Sequence, residues 1–223
     1  RDQALHFISH DIRAPNASIL TLLEMQRNSM EPLQADELLK RIEKYAQASL
    51  SMAESFVRLA SAQSNEYRVA PLDLASVLQD AVDDAWTQAS NQEVSVTILQ
   101  IPHSAPCVGD RPLLARAMAN VLNNAIKYSP ARGTVRCSLY ARGPNWIISV
   151  RDEGPGIDPP QQDRLFKPFS RLHDQTHPNI SGVGLGLALV HTVVKRHGGS
   201  LELESAVGQG AEFRLVLPAS ASD

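Results

Sequence analysis

The chain has 223 residues, 43% of them hydrophobic and 20% charged, with a formal net charge of −3. That apolar share supports a packed core, and the weak charge imbalance excludes a disordered polyelectrolyte. It also argues against nucleic acid as the main partner, because phosphate binding needs clustered positive charge.

The first 64 residues contain no glycine, and their only prolines are Pro15 and Pro32. Leu5, Ile8, Ile12, Pro15, Ile19 and Leu22 recur at spacings of three and four, the pattern of one buried stripe on a long helix. A second series, Leu38, Ile42, Tyr45, Met52, Phe56 and Leu59, begins after Pro32. Two helices and a short loop predict an antiparallel hairpin. A lone hairpin buries too little surface to be stable, so pairing with a second copy into a four-helix bundle is expected.

From about residue 65 the pattern becomes mixed. Leu72 to Ala89 reads as an amphipathic helix, Val94 to Ile98 as a strand and Pro112 to Tyr128 as a helix. Strands follow near Val135–Tyr140 and Trp146–Val150. Residues 158–181 hold four prolines and show little periodicity. Leu185 to His197 reads as a helix stopped by Gly198-Gly199, and strands at Leu201–Glu204 and Glu212–Leu217 flank a glycine turn. The order predicts an α+β chain: the hairpin at 1–64, then at 65–223 an α/β sandwich with helices on one face of a mixed sheet.

No apolar run reaches the ~18 residues that span a bilayer. Cys107 and Cys137 stand alone in unrelated segments, without metal or disulfide spacing, as suits a reducing compartment. The chain opens on Arg1 rather than Met, which reads as a fragment or a processed product.

Four motifs carry chemistry. On the first helix, Phe7-Ile-Ser-His10-Asp11-Ile-Arg13-Ala14-Pro15 places His10 about 200° around the helix from Ile8 and from Ile12, away from the buried stripe. A solvated imidazole there suits nucleophilic attack on a large bound substrate, with Asp11 to orient the ring or take its proton. An ordinary exposed His beside an ordinary Asp is the plain alternative. His6 and His10, like His173 and His177, have a one-turn metal spacing but no third ligand nearby.

The second motif puts Asn120, Asn124 and Lys127 on one helical face. Amides inside a helix cost propensity; they suit Mg²⁺, and the lysine suits phosphate. Capping near Ser129-Pro130 is the alternative, although Asn124 lies deep for it. The third, Asp152-Glu-Gly154-Pro-Gly156-Ile157, sets a carboxylate at a strand end before a glycine turn, able to accept from an adenine amino group or to be an ordinary turn. The fourth, Gly182-Val-Gly184-Leu185-Gly186-Leu187, opens a helix and lets backbone amides approach phosphate. It is neither a dinucleotide fingerprint nor a Walker A loop.

In this order the motifs resemble those of the sensor histidine kinases of two-component signalling, and the match covers nearly the whole chain. His10 to Pro15 resembles the phosphoacceptor box, Asn120 to Lys127 the N box, and Asp152 to Gly156 the first glycine box. Leu165-Phe166-Lys-Pro-Phe169-Ser-Arg171 resembles the F box, and Gly182 to Leu187 the second glycine box. The resemblance implies a dimerising phosphoacceptor hairpin and a Bergerat-type ATP-binding domain. By it, Asn124 holds Mg²⁺, Asn120 and Lys127 lie beside the phosphates, and Tyr128 lines the nucleotide site. Asp152 binds the adenine amine with Gly154, Gly156 and Ile157 around it, and Arg171 lies near the γ-phosphate. His10 attacks that phosphate, with Asp11 as base and Arg13 as a supporting charge. The phosphoryl group then passes to an Asp of a response-regulator receiver domain.

Related ATPases of the Hsp90 and gyrase kind hydrolyse ATP with a Glu four residues before the magnesium Asn. Asn120 occupies that position and is a poor base for water, which favours transfer to His10. A nucleotide-binding scaffold without catalysis is the competing class. One departure from the family stands out: the residue four after the phosphoacceptor is commonly Thr or Asn, and here it is Ala14. Weak phosphatase activity towards the regulator is expected from it. The resemblance also implies a cytoplasmic catalytic core, with membrane attachment only through upstream segments.

Overall fold

The computed structural model describes residues 2–29, 33–63, 68–162, 164–166 and 184–220; side chains are described from Arg13 on, except at residues 51, 55, 56 and 58–63. Helices α1 (Asp2–Asn28) and α2 (Ala35–Gln63) form the expected hairpin. Pro15 does not interrupt α1; it is buried, and Ile19 and Leu22 continue its stripe as half-buried side chains. Gln26 donates to the carbonyl of Leu33 at 2.8 Å and accepts from the Leu33 amide at 2.9 Å. Further along the seam, Asn16 donates to Ser49 Oγ at 3.2 Å.

After the hairpin come β1 (Ala70–Asp73), α3 (Leu74–Asn91), β2 (Ser95–Gln100) and β3 (Pro106–Gly109). They are followed by α4 (Arg111–Tyr128), β4 (Thr134–Arg142), β5 (Asn145–Arg151) and the single turn α5 (Pro159–Gln162). Helix α6 (Gly186–Arg196) and strands β6 (Ser200–Ser205) and β7 (Ala211–Pro218) complete the described chain. The main sheet has the order β2-β4-β5-β7-β6; β2 and β4 pair in parallel and the other neighbours are antiparallel. The sequence reading anticipated these five strands within one or two residues. It did not anticipate the separate antiparallel ribbon of β1 and β3.

Register explains the two faces of the sheet. Leu139, Ile148, Leu215 and Leu201 stand side by side across four strands, and so do Cys137, Val150, Phe213 and Leu203. Both rows face the apolar core shared with α3, α4 and α6. The intervening residues point the other way because side chains alternate along a strand. That outer face carries ion pairs: Arg214 reaches Glu204 at 2.6 Å and Glu212 at 2.7 Å, and Ser149 donates to Glu212 at 2.6 Å. The result is a two-layer α/β sandwich.

Polar caps lock the helices to the ribbon. Asp73 caps α3 by accepting from Ala75 N at 2.8 Å, and the same oxygen accepts from Ala105 N at 2.9 Å. Asp110 caps α4 by accepting from Leu113 N at 3.1 Å, and its other oxygen accepts from Arg68 N at 3.1 Å. Trp146 Nε1 on β5 donates to the carbonyl of Pro106 on β3 at 3.0 Å, joining sheet to ribbon. Both cysteines are free and buried. Burial pushes the Cys137 thiol up to about 12. No described helix is long and apolar enough to cross a membrane.

Candidate functional site

Helix α4 buries Leu114, Ala117, Met118, Val121, Leu122, Ala125 and Ile126 in the core. That orientation leaves Asn120, Asn124, Lys127 and Tyr128 half-buried along its flank. The Asn120 amide donates to the carbonyl of Arg116 at 3.0 Å, one turn back. Its oxygen faces the start of α6: a Cβ added at Gly186 would sit 3.2 Å from Asn120 Oδ1. The second and fourth sequence motifs therefore meet side by side. Lys127 Nζ lies 5.0 Å from the centre of the Tyr128 ring, a cation–π contact.

Asp152 lies just beyond β5 and is buried, 6% exposed. Its Oδ1 accepts from Gly154 N at 2.8 Å and from Ala211 N at 3.0 Å. Burial pushes its carboxyl above the ordinary value, against the pull of the two amide bonds and of Arg151. The turn after it folds onto the β6–β7 hairpin. Gly156 has φ +70°, and a Cβ there would overlap the carbonyl of Ala206, so the close approach and the left-handed backbone both require glycine. Ile157 N donates to Ser205 Oγ at 2.9 Å, and that hydroxyl donates to the carbonyl of Gly210 at 2.7 Å. Gly154 packs against the end of α4, where a Cβ would lie 2.8 Å from the Tyr128 carbonyl. The third motif thus joins the second.

Of the fourth motif, Gly184 has φ +71°, Leu185 is buried and Leu187 is half-buried. Among the described residues, the N-terminus of α6 has no side-chain cap hydrogen bond. An uncapped helix start offers backbone N–H groups and the positive end of the helix dipole to an anion. Leu165 of the F box is buried, and the Phe166 ring stacks on His191 of α6 at 5.9 Å between centroids. Gly182 and Arg171 lie outside the described residues. His10 and Asp11 sit on the helical backbone of α1, but their side chains are not among those described. Arg13 and Ala14 are exposed on α1.

Among the described residues, no three His, Cys, Asp or Glu side chains cluster in a way that could hold a metal ion. The donor chemistry on α4 is that of amide oxygens. Magnesium accepts such a partial set because it keeps water and phosphate oxygens as its other ligands.

Sequence reasoning missed Asp110 and His197. The Asp110 amide donates to His197 Nε2 at 2.9 Å, across 87 positions of sequence. A His before Gly-Gly at the end of an apolar helix, and an Asp before Arg-Pro at the start of another, were the available signals. Neither says that the two meet.

Comparison with known proteins gives the family and the fold. Residues 109–221 match the family described as histidine kinase-, DNA gyrase B- and HSP90-like ATPase. The chain is 33% identical over 217 residues to the sensor-like histidine kinase SenX3 of Mycolicibacterium smegmatis, covering 95% of this chain and 56% of the relative. It is 29% identical over 229 residues to the adaptive-response sensory kinase SasA of a Synechocystis strain, covering 98% of this chain and 59% of that protein. The chain thus spans little more than half the length of these relatives. Among solved structures, the Acinetobacter baumannii histidine kinase AdeS has the same fold at a TM-score of 0.74 and 22% identity, covering 95% of this chain and 98% of that one. A mycobacterial sensor histidine kinase, MprB, aligns at 33% identity and a TM-score of 0.58, over 68% of this chain and 98% of that one. The chain belongs to the histidine kinase-, DNA gyrase B- and HSP90-like ATPases, and within them it carries the catalytic region of a sensor histidine kinase.

Proposed function

We propose that this chain transfers the γ-phosphoryl group of ATP to His10 and then to an aspartate of a response-regulator receiver domain. One observation carries the reading: the start of α6 at Gly186 lies against Asn120 in the middle of α4, and the Asp152 turn lies against the end of α4 at Tyr128. A nucleotide laid there has an amine acceptor at one end and helix-start amides at the other. A solved histidine kinase, ShkA, is described in complex with AMPPNP, and another, ThkA, in complex with the response regulator TrrA. Both complexes accord with the reading.

Asp152 accepts from the adenine amine through Oδ2, because Oδ1 already receives two amides. Asn124 offers its amide oxygen to Mg²⁺, with Asn120 and Lys127 beside the phosphates. The magnesium supplies charge neutralisation of the phosphates. The unprotonated ring nitrogen of His10 attacks the γ-phosphorus, the bond to the bridging oxygen breaks, and ADP leaves. Asp11 takes the proton from the other ring nitrogen, while Arg13 and Arg171 offset the negative charge. Asn120 in place of a carboxylate favours this transfer over hydrolysis. Ala14 cannot position water by a hydrogen bond, so phosphatase activity towards the regulator is weak.

The hairpin supplies the dimer. Leu39, Leu50 and Val57 on α2 are about 60% exposed in one chain. Their spacings of eleven and seven set them on one stripe of the helix. A second hairpin covers that stripe and completes a four-helix bundle.

Replacing His10 with Gln is expected to abolish acid-labile label from γ-labelled ATP and to leave ATP binding intact. Full labelling of the variant overturns the assignment of His10, and absence of ATP binding by the wild type overturns the whole reading.

A further inference from the structure

Helices α4 and α6 run antiparallel, and they meet at both ends of α6. At one end Gly186, the first residue of α6, lies against the Asn120 amide. At the other, His197 at the end of α6 lies against Asp110 at the start of α4. The two spans match. Asp110 to Asn120 covers about 15 Å of helix and Gly186 to His197 about 16.5 Å, at about 1.5 Å per residue.

The far fastening is built with care. His197 is buried, 8% exposed. Its Nδ1 lies 2.7 Å from the Val193 carbonyl and its Nε2 lies 2.9 Å from the Asp110 amide. A carbonyl requires a donor and an amide requires an acceptor, so the ring is neutral with its proton on Nδ1. The backbone makes room for it: a Cβ at Gly109 would fall 2.5 Å from His197 Cδ2 and 2.7 Å from Nε2. No larger residue at 109 leaves the ring in place. Asp110 gives its side chain to Leu113 N and Arg68 N, so its backbone N–H is the group reserved for the histidine.

A pin at one end of two rigid rods sets their axial register at the other. We propose that His197 is a positioning residue for the nucleotide: through Asp110 it fixes the register of α6 on α4, and so holds the start of α6 against Asn120. This rests on the kinase reading above, because it takes that flank of α4 as the nucleotide site.

The test uses the full chain, with ATP and Mg²⁺ as ligand. His197→Phe keeps an aromatic ring and removes both nitrogens; His197→Gln restores an acceptor within reach of the Asp110 amide. Expected is a loss of ATP affinity of about tenfold or more in the first variant, with most of it regained in the second. Equal affinity of wild type and H197F, or equal losses in both variants, overturns the pin. Should H197F not fold, the wild type still decides. Coupling is reciprocal, so ATP must slow hydrogen exchange at the Asp110 amide, and unchanged protection overturns the proposal. A wild type that does not bind ATP overturns the kinase reading and the pin together; binding that ignores His197 overturns the pin alone.

Discussion

Asn120 and Gly186 face each other across the gap between α4 and α6, with room of only 3.2 Å between the amide oxygen and any Cβ on the glycine. Contact this tight leaves an alanine at position 186 two effects of opposite sign. It favours the helix by up to about 1 kcal/mol relative to glycine. It also pushes the Asn120 amide aside by a few tenths of an ångström, as a close neighbour must give way. Gly186→Ala is expected to hold or raise the unfolding midpoint while weakening ATP binding several-fold. Parallel thermal melts and calorimetric titrations read the two effects separately. A variant that binds ATP as the wild type does removes Asn120 from the phosphate end of the site.

Asp152 allows a cleaner separation of fold from ligand. Asparagine keeps Oδ1, so the amides of Gly154 and Ala211 keep their acceptor and the turn keeps its shape. The charged acceptor is lost, and hydrogen bonds to charged groups are worth about 1.5–3 kcal/mol. Asp152→Asn should therefore melt close to the wild type and bind ATP about tenfold or more weakly. GTP, which has no amine at that ring position, should lose much less. Equal losses for both nucleotides would place the adenine elsewhere.

The acid side of the stability curve should fall in two stages. His197 has its pKa lowered from 6.5, chiefly by burial, against the Val193 hydrogen bond and the Asp110 charge, with a smaller push in the same direction from Arg196. Below pH 6.5 the unfolded chain takes up that proton before the fold does, so stability declines as pH drops. Glu212 is held below 4.5 chiefly by its hydrogen bond to Arg214, opposed by burial. Its contribution is complete above 4.5 and is lost as pH falls through the depressed folded value. Asp152 acts in the opposite sense, because burial raises its pKa. Urea unfolding at a series of pH values measures the curve. His197→Gln should remove the upper stage, and Arg214→Ala the lower.

The hairpin carries a prediction of its own. Leu50 is 62% exposed in one chain, and a two-fold axis would cover it twice. Covering a leucine is worth about 1.5–3 kcal/mol, so Leu50→Glu should cost about 3 kcal/mol or more of dimer stability, a hundredfold or more in Kd. Sedimentation equilibrium decides it. A variant that dimerises like the wild type moves the interface away from this stripe.

Much of this was legible in the sequence because helices and long strands advertise themselves locally. The buried rows Cys137–Leu139 and Phe213–Leu215–Leu217 alternate, and α4 repeats its apolar residues at three and four. Strands β1 and β3 were hidden for a physical reason. Each has four residues and a proline, Pro71 or Pro106, so neither shows a period, and each is a strand only because the other pairs with it. The site divided in the same way. Asn120, Asn124 and Lys127 announce a face by their spacing, whereas the bond between Asp110 and His197 joins residues that no local pattern relates.

The indole of Trp146 has a consequence for how motion near the start of α4 can be watched. The chain has two tryptophans, and the other, Trp86, is 70% exposed on α3. Trp86 emits from water whatever the fold does, while Trp146 emits from a hydrogen bond to Pro106, four residues before Asp110. With Trp86 replaced by Phe, the protein becomes its own fluorometer. Its remaining emission tracks the seating of β3 against the sheet, with no added dye and no label on the nucleotide.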